Sequence, residues 1–156
     1  MYYNIWFVTK YRKAVLKNDI ETAVKCIFAD CIQRHKYKIL ALETNSDHVH
    51  MLVCVKNRME LVKVVRTLKA VSAREILITP RFRVGNVRHF WAKRYGCRKV
   101  SRLEIPNVIV YIRDQKRIPH TGVCGGQKRI PQRECVEVTD EKDASYRVFQ
   151  GSRLSS

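Results

Sequence analysis

Acidic residues are scarce in this chain. Its 156 residues include 14 Asp and Glu against 31 Lys and Arg, which gives a formal net charge of +17. An excess of this size implies a polyanionic partner, above all nucleic acid, because basic side chains that neutralise phosphates release condensed counterions. The excess belongs to residues 1–119, which hold 25 basic and 9 acidic side chains, whereas residues 120–156 hold 6 and 5. A membrane surface fits less well, since the basic residues are spread over several predicted elements.

Long apolar runs and closely paired cysteines are also missing. No run approaches the roughly 20 residues of a membrane span, so no membrane association is expected. The first six residues contain no basic segment followed by an apolar one, and we therefore expect no secretory signal and a cytoplasmic location. The six cysteines include no Cys-x-x-Cys pair, which argues against a zinc ribbon or a thioredoxin-like centre and favours free thiols.

The sequence does contain an ordered series of strand and helix patterns. β-Branched and aromatic residues predict strands at 3–9, 37–44, 48–55 and 87–95, and apolar residues at helical spacing predict helices at 19–35, from 59 onwards and from 106 to 118. The order β-α-β-β-α-β followed by a helix predicts an α+β fold, a ferredoxin-like (RRM-like) antiparallel sheet with helices on one face and an appended C-terminal helix. We expect this domain to span 1–119 and residues 120–156 to form a flexible tail, because their apolar residues show no sustained period.

The tripeptide His48-Val49-His50 is the most informative motif. Alternate side chains of a strand project from the same face, so both imidazoles are close enough to bind one metal ion. Pairs of this kind also occur as solvated or hydrogen-bonded histidines without a metal, and the motif alone leaves both interpretations open.

Tyr111 and Gln115 supply a second set of candidates on the last predicted helix. Their spacing of four residues places the phenol and the amide on one face, one turn from each other. Tyrosine is a poor nucleophile at its ordinary pKa of about 10, but a metal ion that polarises a phosphodiester lowers the barrier to its attack. The amide oxygen of Gln115 would complete a His-His-Gln ligand set. The alternative is a packed helix tyrosine with its hydroxyl at the surface.

Candidate DNA contacts lie directly after the first predicted strand, on the second predicted helix and at the end of the fourth predicted strand. Basic positions of the second helix lie mostly off its apolar stripe, and no acidic partner precedes Glu75 apart from the first turn, which favours phosphate contact. Strand aromatics such as Trp6 are expected in the core, and base stacking is assigned to Tyr95 or Trp91. The predicted DNA-binding residues are Lys10, Arg12, Lys13, Lys63, Arg66, Lys69, Arg74, Arg94 and Tyr95.

Several segments occur in an order found in one family of enzymes. They are Thr9-Lys-Tyr-Arg-Lys13, Asp47-His-Val-His50, Ser72-Ala-Arg-Glu75, Phe90-Trp91 and Val110-Tyr-Ile-Arg-Asp-Gln115. Over residues 3–118 the chain resembles the HUH single-tyrosine transposases of small insertion sequences, the IS200-like family. It departs from them before Asp47, where Asn45-Ser46 replaces a Met-Pro step, and after Trp91.

The resemblance implies an enzyme that binds single-stranded DNA ends folded into hairpins. Tyr111 would cut the strand to leave a 5′-phosphotyrosine link and a free 3′-OH, and strands would be rejoined by the reverse attack. His48, His50 and Gln115 would bind Mg²⁺, although two imidazoles favour Mn²⁺ on ligand chemistry alone. The resemblance also implies a homodimer in which the tyrosine helix of one subunit completes the histidine site of the other.

Two alternatives are consistent with the charge and the predicted fold. One is a non-catalytic module that binds single-stranded nucleic acid, which gives no reason for the histidines, the tyrosine and the glutamine to occur together. The other is a replication or relaxase-type HUH nickase, a class that usually carries more domains. Sensitivity to chelation of divalent metal separates the module from both enzymes.

Overall fold

A computed structural model describes residues 1–82, 84–85 and 87–116, together with the backbone of 136–138 and 147–148. The helices in this part of the chain are α1 (Asn18–His35), α2 (Arg58–Ile78) and α3 (Ile105–Arg113), and the strands are β1 (Tyr2–Val8), β2 (Lys38–Thr44), β3 (His48–Cys54), β4 (Tyr95–Val100), β5 (Val136–Val138) and β6 (Arg147–Val148). The strand order is β2-β3-β1-β4-β5-β6, with antiparallel pairing throughout. The first four strands have the ferredoxin-like order, which confirms the predicted α+β fold.

Alternation along the central strands divides the sheet into two different faces. Ile5 and Phe7 of β1 and Met51 of β3 lie in the main core, which the sheet shares with α1 and α2. The residues between them point to the other face, where Leu52 of β3 packs with Ile112 of α3 in a smaller core. The final helix therefore lies on the opposite side of the sheet from α1 and α2.

Local sequence signals explain where two of the helices begin. Asn57 caps α2, since its side chain accepts a hydrogen bond from the backbone N–H of Glu60 at 2.9 Å. A short 3₁₀ turn at 102–104 leads into α3, with reciprocal capping between Ser101 and Glu104. Pro106 follows in the first turn of α3, where its missing N–H costs no hydrogen bond.

The strand predicted at 87–95 is wrong, because β4 begins only at Tyr95. Phe90 and Trp91 are buried from a connecting segment, where Trp91 packs edge-to-face on Phe7 and donates a hydrogen bond to Ser72 Oγ at 2.8 Å. Their aromatic character thus reflects burial in the main core, for which a strand is not required. The single β-bridge of this segment joins Trp91 to Thr9.

The tail prediction for 120–156 falls mostly outside the described residues. Within that segment the structure describes β5, which pairs with β4, and β6, which pairs with β5. The boundary at 119 stays a prediction. None of the described helices is long and apolar enough to cross a membrane.

Candidate active site

His48 and His50 both project from the face of the sheet that α3 covers. Their ring centroids are 5.0 Å apart and their planes are nearly perpendicular, at 84°. The paired strand geometry thus brings the two imidazoles together as the spacing predicted. β3, the strand that carries both histidines, lies inside the sheet and pairs with β1 on one side and β2 on the other.

Asp47 orients the first histidine. Its Oδ1 lies 2.5 Å from Nδ1 of His48, and its Oδ2 lies 3.6 Å from the exposed guanidinium of Arg12. A carboxylate at Nδ1 holds the proton there, so that Nε2 carries the lone pair that a metal requires. The backbone carbonyl of Asp47 also accepts a hydrogen bond from Thr9 N–H at 2.8 Å, which fixes the turn before β3 to the end of β1.

His50 is held in its neutral form. Burial, with a smaller contribution from neighbouring His48, lowers the pKa of His50 from 6.5 to about 3. Its Nδ1 is buried and has no hydrogen-bond partner among the residues that the structure describes. A neutral imidazole with a buried, unpaired ring nitrogen is an unusual arrangement for a packing residue, because burying a polar atom without a partner costs free energy.

Tyr111 contacts the second histidine of the pair. Its ring meets the ring of His50 edge-to-face, with 5.9 Å between centroids, and its side chain is 38% exposed. α3 thus places this tyrosine beside the histidine strand of its own chain. The exposure leaves the phenol accessible to a large substrate.

Gln115 does not lie on the α-helix itself, since α3 ends at Arg113 and Gln115 belongs to the 3₁₀ turn 114–116. It is buried, and its Nε2 donates a hydrogen bond back to the Tyr111 carbonyl at 3.4 Å. With the amide nitrogen so engaged, the amide oxygen is the atom of Gln115 that can accept a metal ion.

Asn45 connects this turn to the histidine hairpin. Its backbone N–H donates to the His48 carbonyl at 2.8 Å, and its side-chain Nδ2 donates to the Gln115 carbonyl at 3.1 Å. Its Oδ1 accepts from Ser46 N–H at 2.7 Å, which fixes the orientation of the amide. One side chain therefore ties together two segments that are 70 residues apart in sequence.

The donor set can be tested for its fit to a divalent metal. No third His, Cys, Asp or Glu joins the two histidines in a metal-binding group among the described residues, so a site here depends on Gln115. Neutral imidazoles, one of them with an unpaired buried nitrogen, and an amide oxygen are suitable ligands for a borderline ion such as Mn²⁺ and acceptable for Mg²⁺. The residues fit such an ion.

The predicted DNA-binding residues divide into three sets. Arg12 and Lys13 are exposed and Lys10 is half-buried; all three follow β1, next to Asp47. Arg94 is exposed just before β4. The exposed residues of α2 lie in the layer on the other side of the sheet from the histidines; they are Lys63, Arg66 and Arg74.

Lys69 and Tyr95 are corrections to the predicted surface. Lys69 is 6% exposed, and its ammonium donates a hydrogen bond to the Lys93 carbonyl at 2.8 Å. Tyr95 is 3% exposed and lies in the main core. The long aliphatic stem of Lys69 and the ring of Tyr95 pack inside the protein, so neither side chain is part of the exposed surface.

Trp6 was expected in the core, and Trp91 was considered for stacking, but the structure reverses their positions. Trp91 is 5% exposed, whereas Trp6 is only half-buried and its ring lies beside that of His50, with 6.2 Å between centroids and 27° between planes. The alternation of β1 could have indicated this, since Trp6 lies out of phase with Ile5 and Phe7.

The model of the family described as "Transposase IS200 like" matches residues 1–115. The chain belongs to this family. The curated ISDra2 transposase TnpA of Deinococcus radiodurans is 31% identical to it over 77 residues, which are 49% of this chain and 54% of that protein. The match thus spans about half the length of the curated relative.

Two solved structures resemble this one. A Deinococcus radiodurans protein assigned as a transposase is 26% identical, with a TM-score of 0.55, over 74% of this chain and 91% of that chain. A REP-associated tyrosine transposase bound to a REP hairpin has a TM-score of 0.57 over 72% of this chain and 64% of that chain. The second is 10% identical and therefore supports the fold alone.

Proposed function

We propose that this transposase-family chain binds single-stranded DNA hairpin ends, and cuts and rejoins them through Tyr111. The observation that supports the proposal most directly is the position of Tyr111 of the same chain, which contacts the partly buried imidazole of His50 on the face that His48 shares. The site combines a nucleophile on α3 with two imidazoles on β3, one oriented by Asp47 and one kept neutral by burial. This combination suits phosphoryl transfer better than it suits a role in packing.

Cleavage would proceed by transesterification. The phenol oxygen of Tyr111 attacks the scissile phosphorus and loses its proton, the new P–O bond forms, and the bond to the 3′ oxygen breaks. The 3′ oxygen takes up a proton, so that the products are a free 3′-OH and a 5′-phosphotyrosine. Rejoining is the same exchange in reverse with another 3′-OH, and the bond energy is conserved without ATP.

His48, His50 and the amide oxygen of Gln115 would hold Mg²⁺ or Mn²⁺. Such an ion supplies Lewis-acid polarisation of the phosphoryl oxygens. Asp47 holds a proton at Nδ1 of His48, which leaves Nε2 to face the ion, and burial keeps His50 neutral. The exposed basic residues of the 9–13 segment, beside Asp47, would bind phosphates next to the cut.

A homodimer with composite active sites belongs to the same proposal, in which the contact that the structure has between Tyr111 and His50 of one chain would be made between two subunits. Leu103 and Val110, before and on α3, are 92% and 58% exposed, which is a large apolar exposure for one short segment. A partner subunit would cover it. Mixing a His50→Ala variant with a Tyr111→Phe variant tests the arrangement: regained cutting means that a site takes its histidines and tyrosine from different subunits, and none means that each chain acts alone.

The chemistry is tested by incubating the protein with a single-stranded DNA library and Mg²⁺ or Mn²⁺. We expect a DNA adduct on Tyr111 by mass spectrometry, its loss with EDTA, and no adduct in Tyr111→Phe while hairpin binding persists. Tyr11→Phe is the matched control, since Tyr11 is 76% exposed and close to the site in the 9–13 segment. Equal cutting by Tyr111→Phe would refute the assignment of the nucleophile.

The same experiment separates the alternatives. A protein that binds single strands with and without EDTA and never forms an adduct would be the non-catalytic module. A protein that forms the adduct but does not transfer it to a second 3′-OH would be a nickase. The family match favours strand transfer over both.

A further inference from the structure

One row of residues crosses the sheet on the face of the candidate active site. Glu43 of β2 pairs with His50 of β3, His50 pairs with Trp6 of β1, and Trp6 pairs with Gly96 of β4. Direct neighbours across an antiparallel sheet project to the same side. The indole of Trp6 therefore belongs to the same surface as the histidines, although none of the proposed chemistry uses it.

Gly96 leaves space for this indole because it has no side chain. A Cβ at position 96 would overlap the ring atoms Cε2 and Cζ2 of Trp6, so the ring lies against the bare backbone of the glycine. Because Gly96 has no unusual backbone angle, close approach of the indole is the reason for a glycine here. The face of the indole turned away from the sheet is not needed for this contact, and Trp6 is only half-buried.

The indole also lies close to the reacting groups. It is 6.2 Å from the ring of His50, which in turn is 5.9 Å from the ring of Tyr111. The indole and the phenol are thus separated by no more than about 12 Å, the sum of the two distances. A strand whose scissile phosphate lies at Tyr111 would bring the base of a neighbouring nucleotide to Trp6.

We propose that Trp6 is a stacking platform for an unpaired nucleobase next to the scissile phosphate. The proposal rests on the proposed function and defines a subsite of it. Aromatic faces accept any base, so the platform would hold the strand without reading its sequence. Phe90, Trp91 and Tyr95 are buried and cannot serve in this way, whereas Trp6 shares the surface of the histidine pair.

The test measures binding of hairpin DNA in EDTA, which keeps cutting out of the measurement. A series of DNAs carries one abasic site at each unpaired position around the cut. For the wild type we expect one position to weaken binding by about tenfold, as for the loss of one stacked base. In Trp6→Ala the same abasic site should cause no further loss of binding, whereas in Trp6→Phe it should cause most of the loss that it causes in the wild type.

Gly96→Ala is a second variant that leaves the indole in the chain but removes the space beneath it. It should weaken binding of intact DNA about as much as Trp6→Ala and should likewise abolish the effect of the abasic site. Thermal unfolding of each variant identifies any that fail to fold, and Trp6→Phe supplies a folded variant if Trp6→Ala does not. Equal abasic effects at every position in the wild type and the variants would overturn the proposal.

Fluorescence gives an independent measurement. Stacking should quench the indole emission of Trp6 when DNA binds, and Trp6→Phe should lose this change because the remaining Trp91 is buried. Tight binding without quenching would refute the stacking platform alone. If the wild type bound no single-stranded DNA at all, the proposed function would fail instead.

Discussion

At the scale of single residues, the chain prepares its two histidines in different ways. His48 is oriented by a hydrogen bond from its ring to Asp47, whereas His50 is kept neutral by burial and has a ring nitrogen without a partner. In the proposed metal site, which would have three protein donors, orientation of His48 and desolvation of His50 would each raise the affinity for the ion.

Asp47→Asn should weaken binding of Mn²⁺ by roughly tenfold or more, as is usual when the partner of a ligating histidine loses its charge. The amide can no longer hold the proton of His48 as firmly at Nδ1. Titration with Mn²⁺ followed by calorimetry or electron paramagnetic resonance measures this. Asp30→Asn, an exposed change on α1, is the control. Unchanged affinity in Asp47→Asn would remove Asp47 from the site.

At the scale of elements, two sets of contacts hold the end of α3 against the rest of the molecule. Asn45 binds the Gln115 carbonyl from the β2–β3 turn. On the other side, Lys116 forms ion pairs with Glu21 of α1, at 2.5 Å, and with Glu43 of β2, at 3.8 Å, and Lys25 bridges the same two glutamates. Asn45 binds Gln115 itself and the ion pairs bind the next residue, so the position of Gln115 depends on both.

Asn45→Asp should reduce Mn²⁺ affinity by several-fold while leaving metal-free hairpin binding unchanged. The aspartate can still accept the hydrogen bond from Ser46, but it places a carboxylate against the Gln115 carbonyl where an N–H donor stood. Asn107→Asp makes the same chemical change at an exposed position of α3. If the two variants bound Mn²⁺ equally well, Asn45 would have no positioning role.

Glu21 gives the fold a dependence on pH. Burial alone would raise its pKa, but hydrogen bonds from Lys116 and Thr44 and the charge of Lys25 outweigh burial and lower the pKa of Glu21 below 4.5. A lowered folded-state pKa adds stability above about pH 4.5, and this stability is lost as the pH falls through the folded-state value. Glu21→Gln should therefore cost about 1 kcal/mol of unfolding free energy at pH 7 and progressively less below pH 4.5.

Urea unfolding of the wild type and Glu21→Gln at several pH values checks this expectation. Glu75→Gln, which changes an exposed glutamate of α2, is the control and should alter stability much less. A difference between wild type and Glu21→Gln that stays constant from pH 7 to pH 3 would contradict the assigned role.

At the scale of the whole molecule, the basic side chains are found on both sides of the sheet. Arg12 lies next to the histidine strand, whereas Lys63 and Arg66 lie on α2, behind the sheet. A single strand bound at Tyr111 does not by itself explain the positive charge on the far layer of the fold. A folded DNA hairpin is large enough to contact more than one layer, and it releases counterions wherever its phosphates are neutralised.

Lys63→Ala should weaken hairpin binding and reduce the slope of log affinity against log salt concentration by about 0.9, the value for one phosphate contact in duplex DNA. Lys56→Ala, an exposed lysine in the segment before α2, is the control and should leave the slope unchanged. Equal slopes for wild type and Lys63→Ala would show that the hairpin does not reach this side of α2.

Local sequence patterns determined most of the scaffold. The apolar periodicity placed α1 and α2 within one residue of their observed starts, and strand alternation placed the two histidines on one face, since both depend on contacts within a few residues. The spacing of Tyr111 and Gln115 indicated a shared helix face, but α3 ends at Arg113 and Gln115 lies in the 3₁₀ turn that follows. The strand predicted at 87–95 is wrong because Phe90 and Trp91 are buried in the main core, which does not require a strand at this point of the chain.

The tertiary structure decided what the site contains. Only the register of β1 against β3 and β4 places Trp6 beside His50 and over Gly96, and only the packing of α3 brings Asn45 to the Gln115 carbonyl. It also buried Lys69 and Tyr95, whose residue types suggested a surface. The sequence by itself determined most of the elements, the types of the candidate ligands and the charge, because these are local or additive. Contacts between distant segments depend on strand order and helix packing, and these arise only when the whole chain folds.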